Sequence, residues 1–152
     1  MNDNLEISIK IKDLKSKGKV IGFTNGCFDL LHKGHIHLLF QSSKICDHLI
    51  VGLNSDLSVK KIKGNSRPIQ NEQKRYNNLI SLDFVDDVIL FSEITPIKVI
   101  EKIIPDILIK GADYKKKELV GSNFVTKNGG KIKLIDLIPN ISTSQLIKES
   151  DL

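Results

Sequence analysis

The stretch KVIGFTNGCFDLLHKGH, residues 19–35, begins as an apolar, β-rich run and closes on two histidines three positions apart. Residues 19–25 read as a strand ending in turn residues. From Gly34 to about Cys46, apolar side chains recur at Ile36, Leu38, Leu39 and Ile45, a roughly helical spacing. Strand, polar turn and helix follow in one sweep, and the rest of the chain repeats that order. HLIVGLN (48–54) is a buried strand with a polar end, and residues 70–82 carry helical periodicity. DDVILF (86–91) is a strand, and TPIKVIEKII (95–104) a helix with Thr95 as N-cap and Pro96 in its first turn. DILIKG (106–111) and KIKLIDL (131–137) are strands, and STSQLIKES (142–150) is a closing helix capped by Ser142.

Continuous apolar strands between helices predict a parallel sheet covered on both faces. Five such strands without an internal repeat make one doubly wound α/β domain over residues 1–152. In that architecture ligands bind outside the carboxyl ends of the strands, where strand order reverses. The polar residues cluster accordingly. Asn25 to His35 follow the first strand, Asn54 to Lys63 the second, and Gly111 to Asp113 the fourth.

Composition narrows the function. Hydrophobic residues make up 40% and charged residues 27%, the balance of a globular soluble protein. No apolar run reaches bilayer length, and MNDNLEISIKIKDLKSKGK lacks the apolar core of a signal peptide, so a cytoplasmic location without membrane attachment is expected. Cys27 and Cys46 are too few for a disulfide framework or a metal knuckle, and read as small buried residues. The net charge of +5 comes mostly from lysine, with clusters only at KKIK (60–63) and KKK (115–117). Aromatic residues are 5%, which leaves little for base stacking and turns the reading from nucleic acid toward polyanionic small molecules.

A helix starting near Gly34 presents unpaired backbone N–H groups to an anion. His32 and His35 stand at its mouth as hydrogen-bond donors for phosphate oxygens, and Gly26 and Gly34 allow the backbone to approach a ligand. The chain contains neither GxxxxGK[ST] nor GxGxxG.

HKGH, within GCFDLLHKGH, instead resembles the HxGH signature of the nucleotidylyltransferases. TNGCFDLLHKGH, VGLNSD, KGNSRPI, PDILIKGADY, Gly121–Ser122 before NGG, and ISTSQLIK resemble, in that order, the heptose 1-phosphate adenylyltransferases of the cytidylyltransferase-like branch. The resemblance implies a Rossmann-like fold of nucleotidylyltransferase type. It also implies AMP transfer from ATP to D-glycero-β-D-manno-heptose 1-phosphate, giving ADP-heptose and pyrophosphate for lipopolysaccharide or surface-glycan precursors. Mg²⁺ accompanies the nucleotide and no resident metal ligands are expected. A homodimer is common among such proteins. The chain reads as the transferase unit alone, so a separate sugar kinase is expected to supply the acceptor.

The same resemblance assigns residues. His32 and His35 hold the triphosphate and its transition state, and Lys60 or Lys63, in the loop after the second strand, reaches the phosphates. Arg75, eleven residues before Asp86, binds nucleotide phosphates. Asn25, Gly26, Cys27, Phe28 and Gly34 line the nucleotide or sugar phosphate. Gly111, Asp113 and Tyr114 meet base and ribose, and Ile141, Ser142, Thr143 and Ser144 form a further nucleotide contact. Asp29 and Arg67 are placed on the substrate side, where Asp29 orients a histidine, helps hold a metal, or caps the turn, and Arg67 also suits a role in ordering the loop before Pro68. His37 and His48 read as structural. Two departures stand out. LIPN precedes ISTS where glycerol 3-phosphate cytidylyltransferases carry an arginine, and Asn140 and Ser144 replace a glycine and a threonine usual in the adenylyltransferases. The alternatives are cytidylyl transfer to glycerol 3-phosphate or another polyol phosphate, and a non-catalytic nucleotide- or nucleic-acid-binding module.

Overall fold

A computed structural model of the chain describes residues 4–114 and 119–137. Its centre is a sheet of β1 (Ile21–Gly26), β2 (His48–Asn54), β3 (Asp87–Phe91), β4 (Ile107–Gly111) and β5 (Lys131–Ile135). All pairings are parallel and the order is β3-β2-β1-β4-β5. The chain therefore starts in the middle, steps outward to β3, then returns to lay β4 against the free side of β1. Gly22 pairs with Leu49 of β2 on one side and with Ile107 of β4 on the other. Beyond Phe23 and Leu108 β1 and β4 no longer pair, and their carboxyl ends part to make the crevice that a change of winding direction creates.

Six helices complete the described fold: α1 (Asn4–Ser16), α2 (Lys33–Lys44), α3 (Asp56–Lys63), α4 (Glu72–Ile80), α5 (Ile97–Ile103) and α6 (Ser122–Lys127). Successive strand residues point to opposite faces, so each strand feeds two cores. Leu49, Val51 and Leu53 pack with Leu39 of α2 and Leu79 of α4. Ile50 between them packs with Phe23, Leu108 and the inner residues of α1, α5 and α6. An aspartate just ahead of three strands fixes their starts. Asp47 accepts the Val20 N–H at 2.7 Å, Asp86 the Leu49 N–H at 2.8 Å, and Asp106 the Ile21 N–H at 2.8 Å. Each carboxylate satisfies an amide at the fraying edge of its neighbour strand. His48 joins this base of the sheet by a 2.6 Å hydrogen bond to the buried Asp87, consistent with its structural reading.

The expected strands are present within a residue or two, α4 lies inside its predicted range, and α2 starts one residue before its own, at Lys33. Three points differ. α5 starts at Ile97 with Pro96 as N-cap and no side-chain cap, so Thr95 does not cap it. KKIK is the end of α3, not a loop: Ser55 caps that helix by accepting the Ser58 N–H. α1, α3 and α6 were not expected as helices. The closing helix over 142–150 lies outside the described residues. Among those described, no helix is long and apolar enough to cross a membrane.

Candidate active site

Beyond the ends of β1 and β4 lies a cavity of about 280 Å³. Its walls come from the turn Asn25–Phe28, the first turn of α2, Lys63 at the end of α3, and the segment Lys110–Tyr114. A groove of about 390 Å³ between α1, α5 and the end of β3 is larger. It is lined by Ile7, Ile11, Val99 and Ile103 and holds no histidine, so it offers no comparable chemistry.

The turn after β1 is tightly determined. Phe28 is buried with a left-handed backbone, φ 46°, a conformation that is strained for a residue with a bulky side chain. Its ring folds back over Gly26, where an added Cβ would lie 3.0 Å from it. The ring edge also meets His35, with centroids 5.3 Å apart. The strain is thus held by packing that in turn sets the imidazole.

His32 is the N-cap of α2. Its Nδ1 accepts the N–H groups of Gly34 at 3.0 Å and His35 at 3.4 Å, while His35 Nδ1 accepts the His32 N–H at 3.4 Å. This reciprocal arrangement is a capping box built from two histidines. The rings stack at 3.8 Å, 17° from parallel. Because Nδ1 of each neutral ring is an acceptor, its proton resides on Nε2. The helix end is therefore not bare, contrary to expectation: Gly34 and His35 N–H are taken by His32. The imidazole passes their polarity on, since a hydrogen bond accepted at Nδ1 strengthens the donor at Nε2. Burial lowers the His35 pKa to about 4, assisted by the charges of His32 and Lys63 and opposed by a hydrogen bond with the Leu30 backbone. Burial lowers that of His32 as well. At neutral pH both rings are uncharged donors.

Cys27 lines the same wall, and burial raises its thiol pKa, against the pull of Lys63, Arg75 and Arg67 and with a push from Asp29. The thiol stays protonated and offers no nucleophile. Across the cavity Gly111 lies beneath the ends of Leu137 and Asp113, which come within 2.7 Å and 2.8 Å of where a Cβ would stand. Tyr114 and Asp113 are exposed at the rim.

The structure gathers Asn25, Gly26, Cys27, Phe28, His32, Gly34, His35, Lys63, Gly111, Asp113 and Tyr114 around one cavity. It also separates the two loop lysines. Lys63 lines the cavity, whereas Lys60, one turn earlier on α3, does not. Three further residues assigned to the site do not line the cavity, and for Asp29 and Arg67 the turn-capping and loop-ordering alternatives match what is seen. Arg75 is fully buried, and its guanidinium donates to the carbonyls of Gln70, Cys27 and Asn54 and to the Asp56 carboxylate. With those donors consumed inside the protein, it ties α4 to the ends of β1 and β2 instead of reaching phosphate. Asp29 is equally buried, accepting from Ile69 N–H at 2.8 Å, Gln70 N–H at 2.9 Å and Arg67 Nε at 2.9 Å. These bonds hold its pKa below the usual value despite burial. Asp29 and Arg67 thus fasten the 67–70 loop under the site, and neither lines the cavity. Ile141, Ser142, Thr143 and Ser144 lie outside the described residues.

One residue at the site escaped the sequence reading. Lys110, in the last turn-ward positions of β4, is 8% exposed and lines the cavity. Its signal was present: a lone charge inside the apolar run DILIKG. Among the described residues no cluster of three histidine, cysteine, aspartate or glutamate side chains can hold a metal ion.

A family model described as cytidylyltransferase-like matches residues 23–149. Bifunctional protein HldE of Rhodopseudomonas palustris strain BisB5 is 45% identical over 145 residues, covering 95% of this chain and 30% of that protein. Bifunctional protein HldE of Nitrobacter winogradskyi is 49% identical over 136 residues, covering 90% and 28%. The chain thus spans under a third of the length of these curated relatives. Among solved structures, the lipopolysaccharide core biosynthesis protein of Thermoplasma volcanium is 32% identical, with a TM-score of 0.65 over 80% of this chain and 98% of that one.

Proposed function

Since the chain belongs to the cytidylyltransferase-like family and is a nucleotidylyltransferase, we propose that it transfers AMP from ATP to D-glycero-β-D-manno-heptose 1-phosphate, releasing pyrophosphate. The observation that carries the chemistry is the stacked pair His32 and His35, locked as Nε2 donors beside Lys63 at the switch point. The acceptor phosphate is already an anion at neutral pH, so attack on the α-phosphorus needs no base. The α-phosphorus gains an oxygen from the sugar phosphate and loses the bridging oxygen of pyrophosphate, and no proton must move. What remains is positioning and stabilisation of charge on the equatorial and departing oxygens. Two neutral imidazoles, polarised by the end of α2, and the Lys63 ammonium supply that.

Mg²⁺ enters this reading as the counter-ion of the triphosphate, held by phosphate oxygens. Asp113 is the one carboxylate among the described residues lining the cavity, which suits a metal brought by the nucleotide and not a resident one. The sugar is supported by the six ordered motifs and by the likeness to a lipopolysaccharide core biosynthesis protein.

The test is a pyrophosphate-release assay pairing ATP and CTP with the heptose 1-phosphate and with glycerol 3-phosphate. ATP with the heptose phosphate is the expected productive pair, abolished by EDTA and restored by Mg²⁺. His32→Ala or His35→Ala should each lower kcat by roughly a hundredfold or more, the usual loss for a donor that stabilises transition-state charge. Turnover only with CTP and glycerol 3-phosphate would replace the substrates while leaving the site's chemistry in place.

A further inference from the structure

Two buried cations flank the site and they are not alike. Arg75 is buried with a carboxylate and three carbonyls around it, the signature of a structural cation. Lys110 is the one buried lysine among the described residues, and the only hydrogen bond of its ammonium there is to the Asn25 carbonyl. Its Nζ also stands 5.1 Å from the Tyr114 ring centroid. Asp113 and Cys27 face it electrostatically, but no described carboxylate pairs with it. An ammonium has three N–H donors, and burying it with one partner is expensive. An anionic ligand would supply the missing partners.

Position says which ligand. Lys110 lines both the main cavity and a second one of about 140 Å³, on the far side of Asn25 and Tyr114. That smaller compartment is walled by Ile94, Thr95, Pro96, Leu119 and Val120, and among its described lining residues Lys110 is the single charge. Lys63 closes α3, the helix that follows β2, and Lys110 is the penultimate residue of β4. β2 and β4 flank β1, so the elements carrying the two lysines leave the sheet on opposite sides of β1. In-line displacement demands the same opposition: the entering oxygen comes at the α-phosphorus from the face opposite the departing pyrophosphate. Resting on the proposed function, with the pyrophosphate at His32, His35 and Lys63, we infer that Lys110 binds the phosphate of the acceptor and delivers it to that opposite face, the acceptor's organic part entering the smaller compartment.

Lys110→Met, close in shape and apolar, is compared with Lys110→Arg and the parent protein. In steady-state assays Lys110→Met should raise the KM for the sugar phosphate by about tenfold or more, as for loss of a charged hydrogen bond. The KM for ATP should stay within about twofold, and Lys110→Arg should recover most of the loss. The melting temperature of Lys110→Met should equal or exceed that of the parent, because a poorly paired buried charge is removed. An unchanged acceptor KM, or an ATP KM that rises in parallel, would overturn the assignment. A parallel measurement does not depend on the identity of the sugar. Inorganic phosphate is titrated by calorimetry into parent and Lys110→Met protein saturated with Mg²⁺ and α,β-methylene-ATP, whose α–β bridge cannot be cleaved. Binding to the parent that weakens about tenfold in the variant supports the role. Equal binding to both, or none to the parent, removes it. Inactivity of the parent toward the heptose phosphate combined with Lys110-dependent phosphate binding would refute the sugar and keep the lysine.

Discussion

His32 and His35 are legible in the sequence as a pair, because two imidazoles three apart after a strand have few other uses. What their Nδ1 atoms do is not legible, since it depends on where the helix starts. That detail fixes their pH behaviour. The folded protein holds His35 near 4 against an ordinary value of 6.5, so the unfolded chain binds the extra proton first on acidification. Stability contributed by the neutral ring is complete above pH 6.5 and drains away as pH falls toward 4. His32 shifts in the same direction by the same cause. Protonation also removes the Nδ1 acceptor, so the cap is lost with the charge change. Thermal melts from pH 7 to pH 4 should show this loss, and His35→Gln, which carries no titrating ring, should flatten it. A variant whose melting temperature falls as steeply as the parent's would assign the acid limb to other groups. For Asp29 and Arg67 the sequence leaves two readings open, a substrate contact invited by nearby phosphate chemistry and a structural one as turn cap and loop anchor. Asp29 takes the Arg67 guanidinium and the Ile69 and Gln70 N–H groups, 38 to 41 residues away, which no local run reveals.

Elements with continuous apolar runs were readable, and those with mixed patterns were not. In α1, Ile7, Ile9 and Ile11 alternate as a strand would. The helix uses Ile7 and Ile11, four apart and both buried, and leaves Ile9 61% exposed. α3 was hidden because its last turns are mostly lysine, and lysine looks like loop until the Ser55 cap and the buried Val59 are seen. α4 was found, but the duty of its arginine was not. Arg75 joins α4 to α3 through Asp56, at 2.8 Å, and to the ends of β1 and β2 through the carbonyls of Cys27 and Asn54. Arg75→Met should therefore destabilise the protein by about 3–5 kcal/mol, since carbonyls and a carboxylate lose their common partner. Denaturant titration measures this. A variant of parental stability that only weakens ATP binding would return Arg75 to the phosphates.

At the scale of the molecule, the parallel sheet and its switch point follow from the order of elements, but the strand sequence β3-β2-β1-β4-β5 is set by contacts far apart in the chain. Its effect is that β1 and β4, which meet through only two paired positions, border the site from its two sides. A ligand that bridges them should stiffen this seam. Saturating ATP and Mg²⁺ at a hundred times Kd should stabilise the fold by about 2.7 kcal/mol, and amide exchange should slow at Asn25–Cys27, at the first turn of α2 and at Lys110–Gly111 together. Slowing on one side of the seam alone would contradict a bridging ligand. The two-histidine cap gives the chain's history a particular shape. A residue that only binds ligand can drift once the ligand is no longer needed, and one that only ends a helix can be traded for serine or asparagine. His32 is held by both demands at once, so a lineage that abandoned the reaction would still be selected to cap α2. Asparagine or serine at this position would therefore mark a descendant that kept the fold after giving up the chemistry.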